Sequence, residues 1–222
     1  YSREDEFRAS PTRQAAIIHM RTGCKRDGTL TFRTADVLLD NGAYTSWGPT
    51  IPVIMMRTTS GHYRVPVVDF KAQAIYTNNP YAGSFRGYGN VQTTFATAQQ
   101  MDILADQVDM DPLAFHLKNA QKSGETTPQK SFLRECALAE CLETAAKATD
   151  YSRKRKEFAA LRNAPGRYKK GIGLASSIHN AGGAKIHKSD GIGTILKVDD
   201  YARVTVITGA SEIGQGIDAV IN

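Results

Sequence analysis

The chain has 222 residues, of which 41% are apolar and 23% charged, and a formal net charge of +6. That composition fits a globular chain of one or two domains, and the absence of any run of 18 or more apolar residues argues against a membrane-spanning helix. The positive excess suits an anionic cofactor, a nucleic acid, an acidic partner subunit or plain solvation; the run Arg153-Lys154-Arg155-Lys156 lacks the aromatic interleaving that nucleic-acid binding uses.

Residues 1–13 are polar, with Pro11 near their end, and read as an irregular lead-in. Gln14–Cys24, carrying Ala15, Ile17 and Met20, reads as a strand. Asp27-Gly28 is a hairpin signal, and Thr29–Asp40 follows as the partner strand through Leu30, Phe32 and Val37, closed by a second turn at Asn41-Gly42. Residues 43–66 hold no period and contain Gly48, Pro49, Pro52, Gly61 and Pro66, which predicts a long loop with a short helix near Val53–Met56. A loop of that length usually serves a function. Of its polar groups, Arg57 is a candidate for holding an acidic or carbonyl group of a substrate, while His62 reads as a hydrogen-bonding loop residue. Val67–Thr77 alternates as a strand, and Asn78-Asn79-Pro80 ends it.

The next stretch is unusual. Glycines at 83, 87 and 89 are interleaved with Phe85, Arg86 and Tyr88. Glycine adopts positive φ and lets another group come close to the backbone, and the large planar or charged residues between suit a wall around a flat ligand. After Gly89, the residues Phe95, Ala98, Met101, Ala105 and Val108 recur at helical spacing and predict a helix over Gln92–Val108. A glycine-rich turn feeding a helix start can hold an anion on free N–H groups; a simple chain reversal after a strand uses glycine too, and both readings stand at this point.

Asp111-Pro112 supplies an N-cap and first residue for another helix, with Leu113, Leu117 and Ala120 as its apolar side. The polar stretch Lys122–Lys130 is the best linker, so domains of 1–122 and 123–222 are expected. Arg134–Asp150 reads as a helix with Leu138, Leu142 and Ala145 on one face, and Tyr151–Arg162 as its continuation or a second helix. Short strands follow at Gly171–Ile178, Ala184–His187, Gly193–Val198 and Ala202–Ile207, turned at Asp190-Gly191 and Asp199-Asp200. The last strand delivers a second glycine-rich turn with Gly209, Gly214, Gln215 and Gly216. Neither turn is a Walker A loop or a G-x-G-x-x-G fingerprint, and there is no paired-histidine spacing, so a metal held by side chains is not expected. Cys24, Cys136 and Cys141 have no C-x-x-C spacing; the last two read as buried small apolar residues, and a reducing cytoplasm fits. The first residues lack Met and an apolar leader, and the last ones stop in what reads as a helix start, so a fragment of a longer chain is expected.

Ser84-Phe85-Arg86-Gly87-Tyr88-Gly89-Asn90-Val91-Gln92 resembles the Phe-Arg-Gly-Phe-Gly signature of the xanthine oxidase and aldehyde oxidoreductase family, in its molybdenum-cofactor-binding large subunit. Thr208–Gly216 resembles the family's Gly-Gln-Gly cofactor loop, and Asp111-Pro112 with Lys118-Asn119 matches its text after the first motif. The resemblance covers essentially the whole chain. It implies an α+β fold, mixed sheets with packed helices, forming parts of two molybdenum-cofactor-binding domains and truncated at both ends. It implies a molybdenum–pyranopterin, as molybdopterin or its dinucleotide form, held through the pterin dithiolene rather than by side chains. The backbone at Phe85 and Arg86, with Gly87, would lie beside the metal's oxygen ligands; Gln215, with Gly214 and Gly216, would hydrogen-bond the cofactor. Tyr88 would pack against a flat substrate, and Arg57 is a second substrate candidate. Ser177, His179 and Asn180 fall where the second wall of the pocket would lie, with their roles open.

The family's reaction is hydroxylation of an aromatic heterocycle or an aldehyde with water as the oxygen source. Electrons leave through iron–sulfur clusters to FAD, on partner subunits or missing domains, and a glutamate is the general base. That glutamate lies near the C-terminal end of the family's large subunit, so no catalytic residue is expected in this chain, which should be inactive alone. Tyr88 replaces the usual Phe, and Asn90 the usual glycine. Residues 57–66 and 76–90 resemble the large subunit of 4-hydroxybenzoyl-CoA reductase, which makes a CoA thioester an alternative substrate. A basic nucleic-acid-binding module is the alternative of another class; the leading reading has no nucleic acid, no membrane span and a cytoplasmic location.

Overall fold

The computed structural model describes residues 2–60, 62–161, 163–179 and 191–221, and divides into two units, Tyr1–His179 and Asn180–Asn222. Asn180, the strand expected over Ala184–His187 and Asp190 of the following turn lie outside the described residues.

The first unit is built on a three-stranded sheet in the order β1-β2-β3: β1 (Ala16–Cys24) runs antiparallel to β2 (Leu30–Gly42), and β3 (Val67–Tyr76) runs parallel to β2. The hairpin forms where the sequence predicts it. The Thr29 N–H donates to Asp27 Oδ1 at 3.0 Å, and Gly28 takes φ +83°. One feature of β2 escapes simple alternation. Gly23 pairs with Phe32 but Cys24 pairs with Leu30, which leaves Thr31 as a bulge. The extra residue lets Leu30 share the core-facing side with Arg33, Ala35, Val37 and Leu39. Phe32 lies across Gly23, where a Cβ would sit 2.3 Å from its ring. Asn41 and Gly42 are not a turn; they complete β2.

The parallel β2–β3 pair is joined through α2 (Ile51–Thr58), the short helix expected in the long loop. Ile51 and Met55 of this helix pack on Ala35, Val37 and Leu39. Fully buried Arg33 donates through Nη1 to the Thr59 carbonyl at 2.5 Å and through Nε to Thr22 Oγ1 at 3.1 Å. Burial pushes its guanidinium down to about 10, still charged at neutral pH, so these partners offset part of a desolvation cost that would otherwise be prohibitive.

Helices α3 (Asn90–Gln107) and α4 (Pro112–Asn119) complete this core, whose second cluster joins Leu30, Tyr63, Val65, Met101, Leu104, Ala105 and Phe115. Both helices exist where expected, but neither buries the whole expected set: in α3 Met101 and Ala105 are buried as expected and Phe95 is not. The buried residues of α3 are Asn90, Thr93, Thr97, Met101, Leu104 and Ala105, while Phe95 is 69% exposed. Threonine and alanine are narrow enough to let α3 lie close against its neighbours, and the Thr93 hydroxyl finds its acceptor within the helix, in the Gly89 carbonyl at 3.2 Å. Helix α4 opens as predicted, with Asp111 Oδ1 accepting from the Ala114 N–H at 3.2 Å. It buries Pro112, Phe115, His116 and Asn119 instead of Leu113 and Leu117. Asn119 explains the rotation: Nδ2 donates to the carbonyls of Gly28 and Phe115, both at 2.9 Å, and Oδ1 accepts from the Leu30 N–H at 3.0 Å, so α4 is fastened to the hairpin.

Further expectations change, and of the two alternatives for Tyr151–Arg162 the second helix is the one that forms. Residues 3–9 form a solvent-facing helix α1 (Arg3–Ala9), started by a capping box between Ser2 and Asp5. Segments 138–148 and 151–160 are separate helices, α5 (Leu138–Ala148) and α6 (Tyr151–Ala160), broken at Asp150 with φ +52°; α5 buries Leu142 and Ala146 rather than Ala145. Gly171–Ile178 alternates in burial as a strand would but joins no sheet among the described residues; the Ser176 hydroxyl and the Tyr63 hydroxyl approach to 2.9 Å instead. Cys141 is exposed rather than buried, Cys24 and Cys136 are half-buried, and all three are free.

In the second unit, β4 (Thr194–Val198) and β5 (Val204–Thr208) form an antiparallel hairpin, and α7 (Ile217–Ile221) follows the second glycine-rich turn. Among the described residues, no helix is long and apolar enough to cross a membrane.

Candidate functional site

The first glycine-rich turn is set by its flanks before any ligand is considered. The Ala82 N–H donates to the Asn41 carbonyl at 3.1 Å, where β2 ends, and the Gly83 N–H donates to the Thr12 carbonyl at 3.0 Å. Gly87, Tyr88 and Gly89 then take φ of +90°, +48° and +93°, and Gly89 becomes the N-cap of α3. Three successive left-handed residues reverse the chain inside a very small space. A Cβ on Gly89 would stand 2.8 Å from Met55 Cγ and 3.1 Å from Ile51 Cγ2, so the turn rests directly on α2. The Tyr88 N–H donates to the Phe85 carbonyl and the Asn90 N–H to the Gly87 carbonyl, both at 2.8 Å. Among the described residues, the N–H groups of Phe85, Arg86 and Gly87 have no acceptor. Three neighbouring open donors suit an anionic or oxo ligand.

Tyr88 is half-buried in spite of its strained backbone. Its ring meets Trp47 edge-on at 6.0 Å between centroids, its hydroxyl bonds the Thr50 hydroxyl, and burial raises its pKa against the opposing pull of Thr50. Phe85 is 51% exposed and Arg86 is exposed. The turn therefore has one aromatic seated on the core beside one that is open. Asn90, where the familiar pattern has glycine, is buried, and its amide nitrogen meets His179 Nδ1. The structure thus brings His179 to the base of this turn. Ser177 is exposed on the same segment and lines a cavity of about 500 Å³ with His62, Leu138, Leu142 and Leu174. Arg57 lies near the C-terminal end of α2, and its Nε is buried with no partner among the described residues.

In the second turn several backbone donors are already engaged, while the N–H groups of Ser211, Glu212 and Gln215 have no acceptor among the described residues. Glu212 folds back, Oε1 accepting from the Gly214 N–H at 2.5 Å and the Gly216 N–H at 3.2 Å, and Oε2 accepting from the Ile217 N–H at 2.7 Å. These bonds, Gly216 first, hold the carboxyl below its ordinary range. Gln215 spans the loop, its Oε1 accepting from the Ile213 N–H at 2.7 Å and its Nε2 donating to the Ser211 carbonyl at 2.9 Å. That leaves Nε2 one further N–H to offer a ligand. Part of the expected row of free donors, the Gly214 and Gly216 N–H groups, is thus satisfied by the turn's own carboxylate.

Two functional-looking features are absent from the sequence reading. Arg13, on the stretch before β1, reaches the Arg86 carbonyl at 2.5 Å, Gln92 Oε1 at 3.3 Å and the face of Phe85 at 5.1 Å. A single arginine in a polar segment gave no periodic or motif signal. Tyr63, His116 and His62 form a buried polar group under Ser176: the Tyr63 hydroxyl bonds His116 Nδ1, and burial pushes His62 down to about 4 and Tyr63 up to about 12. His62 is buried, and its Nδ1 has no hydrogen-bond partner among the described residues, so the hydrogen-bonding role expected of it is not seen.

Residues 1–120 match a Molybdopterin cofactor-binding domain model, and residues 144–222 match a second model of the same description. The chain belongs to this family. Among relatives of these molybdopterin cofactor-binding domains is the xanthine dehydrogenase molybdenum-binding subunit of Escherichia coli O157:H7, 33% identical over 226 residues, covering 100% of this chain and 29% of the relative. The aldehyde oxidoreductase of Megalodesulfovibrio gigas is 26% identical over 221 residues, covering 98% of this chain and 23% of the relative. The chain thus spans less than a third of either protein. The fold is that of the solved aldehyde oxidoreductase from Desulfovibrio gigas, with TM-score 0.75, 22% identity, and coverage of 93% of this chain and 22% of that one. Quinoline 2-oxidoreductase from Pseudomonas putida 86 gives TM-score 0.75 at 21% identity, covering 92% of this chain and 27% of that one. Neither the dehydroxylase reading nor the nucleic-acid reading gains support from these similarities. The basic run on α6 is also partly neutralised, since Arg153 pairs with Asp150 and Glu157.

Proposed function

We propose that this chain forms the cofactor-holding part of a molybdenum-dependent oxidoreductase that hydroxylates an aromatic heterocycle or an aldehyde with water as the oxygen source. The observation that carries this reading is the Phe85–Gly89 turn, whose three open N–H groups stand beside a half-buried aromatic. The residues fit an anionic, oxo-bearing group: backbone donors are free, and no Cβ intrudes at Gly87 or Gly89. When bound, the molybdenum–pterin supplies the two-electron oxidation. Phe85, Arg86 and Gly87 would offer backbone N–H groups to its oxygen ligands. Gly214, Gln215 and Gly216 would hydrogen-bond the cofactor, with the spare Gln215 N–H as the side-chain donor. Tyr88 orients a flat substrate with its ring, and its Thr50 bond fixes the ring plane. Arg57, with a buried unpaired Nε, is a second substrate contact in this reading, and His179 and Ser177 would close the pocket near Asn90.

The division into domains 1–122 and 123–222, the general base outside this chain, iron–sulfur and flavin subunits as electron acceptors, and a cytoplasmic site that keeps Cys24, Cys136 and Cys141 as thiols belong to the same proposal. Molybdenum and pterin analysis of the full-length protein tests it: about one molybdenum per chain is expected, and none would end it. In that protein Gln215→Ala should lower molybdenum content. Tyr88→Ala should retain the metal but raise KM or lower kcat; wild-type kinetics would remove Tyr88 from the substrate wall.

A further inference from the structure

The stretch before β1 is more than a lead-in to the sheet. It runs alongside the first glycine-rich turn and is tied to it at several points. The Tyr81 hydroxyl donates to the Ala9 carbonyl at 3.0 Å, the Gly83 N–H donates to the Thr12 carbonyl at 3.0 Å, and Gln92 Nε2 donates to the Gln14 carbonyl at 3.2 Å. Arg13 lies among these contacts and makes three of its own, to the Arg86 carbonyl, to Gln92 Oε1 and over the Phe85 ring.

We propose that Arg13 is a positioning residue that holds the Phe85–Gly87 backbone with its N–H groups facing the cofactor. The reason is the planarity of the peptide unit. The carbonyl of Arg86 and the N–H of Gly87 belong to one trans peptide and point in opposite directions. When Arg13 anchors the carbonyl on one side, the Gly87 N–H is aimed to the other. Without the anchor, a peptide leading into glycine at φ +90° rotates at little cost, because glycine has no Cβ to oppose it. The bond is charge-assisted, so it also polarises the peptide and strengthens Gly87 as a donor. Stacking on Phe85 fixes the same segment from its other end. Lysine cannot replace this set, since an ammonium is a point donor while guanidinium is a planar fork that bonds at its edge and stacks with its face.

This inference rests on the proposed cofactor reading, and the experiment separates the two. The full-length holoprotein is compared with its Arg13→Gln and Arg13→Lys variants by hydrogen exchange of the peptide covering 83–90, by molybdenum content and by thermal unfolding. Arg13→Gln is expected to speed exchange in that peptide about tenfold or more and to lower molybdenum content, with melting nearly unchanged because Arg13 is only half-buried. Arg13→Lys should give the same changes to a smaller degree, and it carries the test if Arg13→Gln does not accumulate. Wild-type exchange in the variants would overturn the proposal, as would faster exchange with full molybdenum. A wild-type protein without molybdenum would instead sink the cofactor reading, whatever Arg13 does.

Discussion

The two glycine-rich turns look alike as strings of residues and are held by opposite means. The turn at 83–89 rests on other elements: Met55 and Ile51 touch Gly89, Trp47 and Thr50 hold Tyr88, and Arg13 grips Arg86. The turn at 211–216 is held by itself, through Glu212 and Gln215, and a Cβ on Gly216 would meet nothing within 4 Å. A loop stiffened by packing keeps its open donors whether or not a ligand is present. A loop stiffened by its own carboxylate has part of its donor set filled, so an anionic group must displace Glu212 to reach the Gly214 and Gly216 N–H groups or bind through those left open, such as Gln215.

The same substitution in both turns should expose this difference most strongly. Gly89→Ala combines a left-handed backbone with a clash against Met55 and should cost about 2–5 kcal/mol, seen as a large drop in the urea midpoint of the first unit. Gly216→Ala, at φ +81° with open space around it, should cost only the backbone part, about 1–2 kcal/mol, and leave the first unit's midpoint unchanged. Equal losses would break the comparison. Tyr88→Phe removes only the bond to Thr50 and should cost about 1 kcal/mol or less, with the ring still seated on Trp47; a larger loss would mean the hydroxyl sets the turn.

The smallest effect is a pH response confined to the second turn. The Glu212 carboxyl has its pKa lowered by backbone donors, so its contribution is fully present above the unfolded value near 4.5 and disappears as pH falls through the lowered folded value. The protection factors of the Gly214 and Gly216 amides, taken relative to intrinsic exchange at each pH, should fall as pH drops through the lowered folded value, and Glu212→Gln should produce the same loss of protection at neutral pH. Unchanged protection in either experiment would show that the loop does not depend on the carboxylate.

Local chemistry was legible in the sequence and facing was not. The hairpin at Asp27-Gly28, the cap at Asp111-Pro112 and the turn at 87–89 each follow from a dipeptide or a glycine pattern that acts over a few residues, and each formed as expected. The family motifs were legible for the same reason. Helix faces were misjudged because the largest apolar residues were taken as the buried ones. In α3, Thr93 and Thr97 face inward while Phe95 stays out, since tight packing rewards narrow side chains. In α4, a polar residue, Asn119, decides the rotation through three bonds to partners as far as 91 positions away in the chain. Arg13 was hidden for a related reason: its partners lie more than 70 positions downstream, and nothing near it in the chain marks it.

The bulge at Thr31 has a consequence of its own. It acts as a half-period phase slip in the pleat, so the end of β2 bonded to Asn119 and the end reaching Asn41 keep independent in–out phases. Pairing Thr31 regularly, with no bulge, would put the two halves in step and force a choice. Either Leu30 turns to solvent, or Asp36 and Leu38 are driven inward against α2. The hairpin can therefore vary in length and sequence without transmitting an inversion to the strand that carries Asn41 up to the glycine turn.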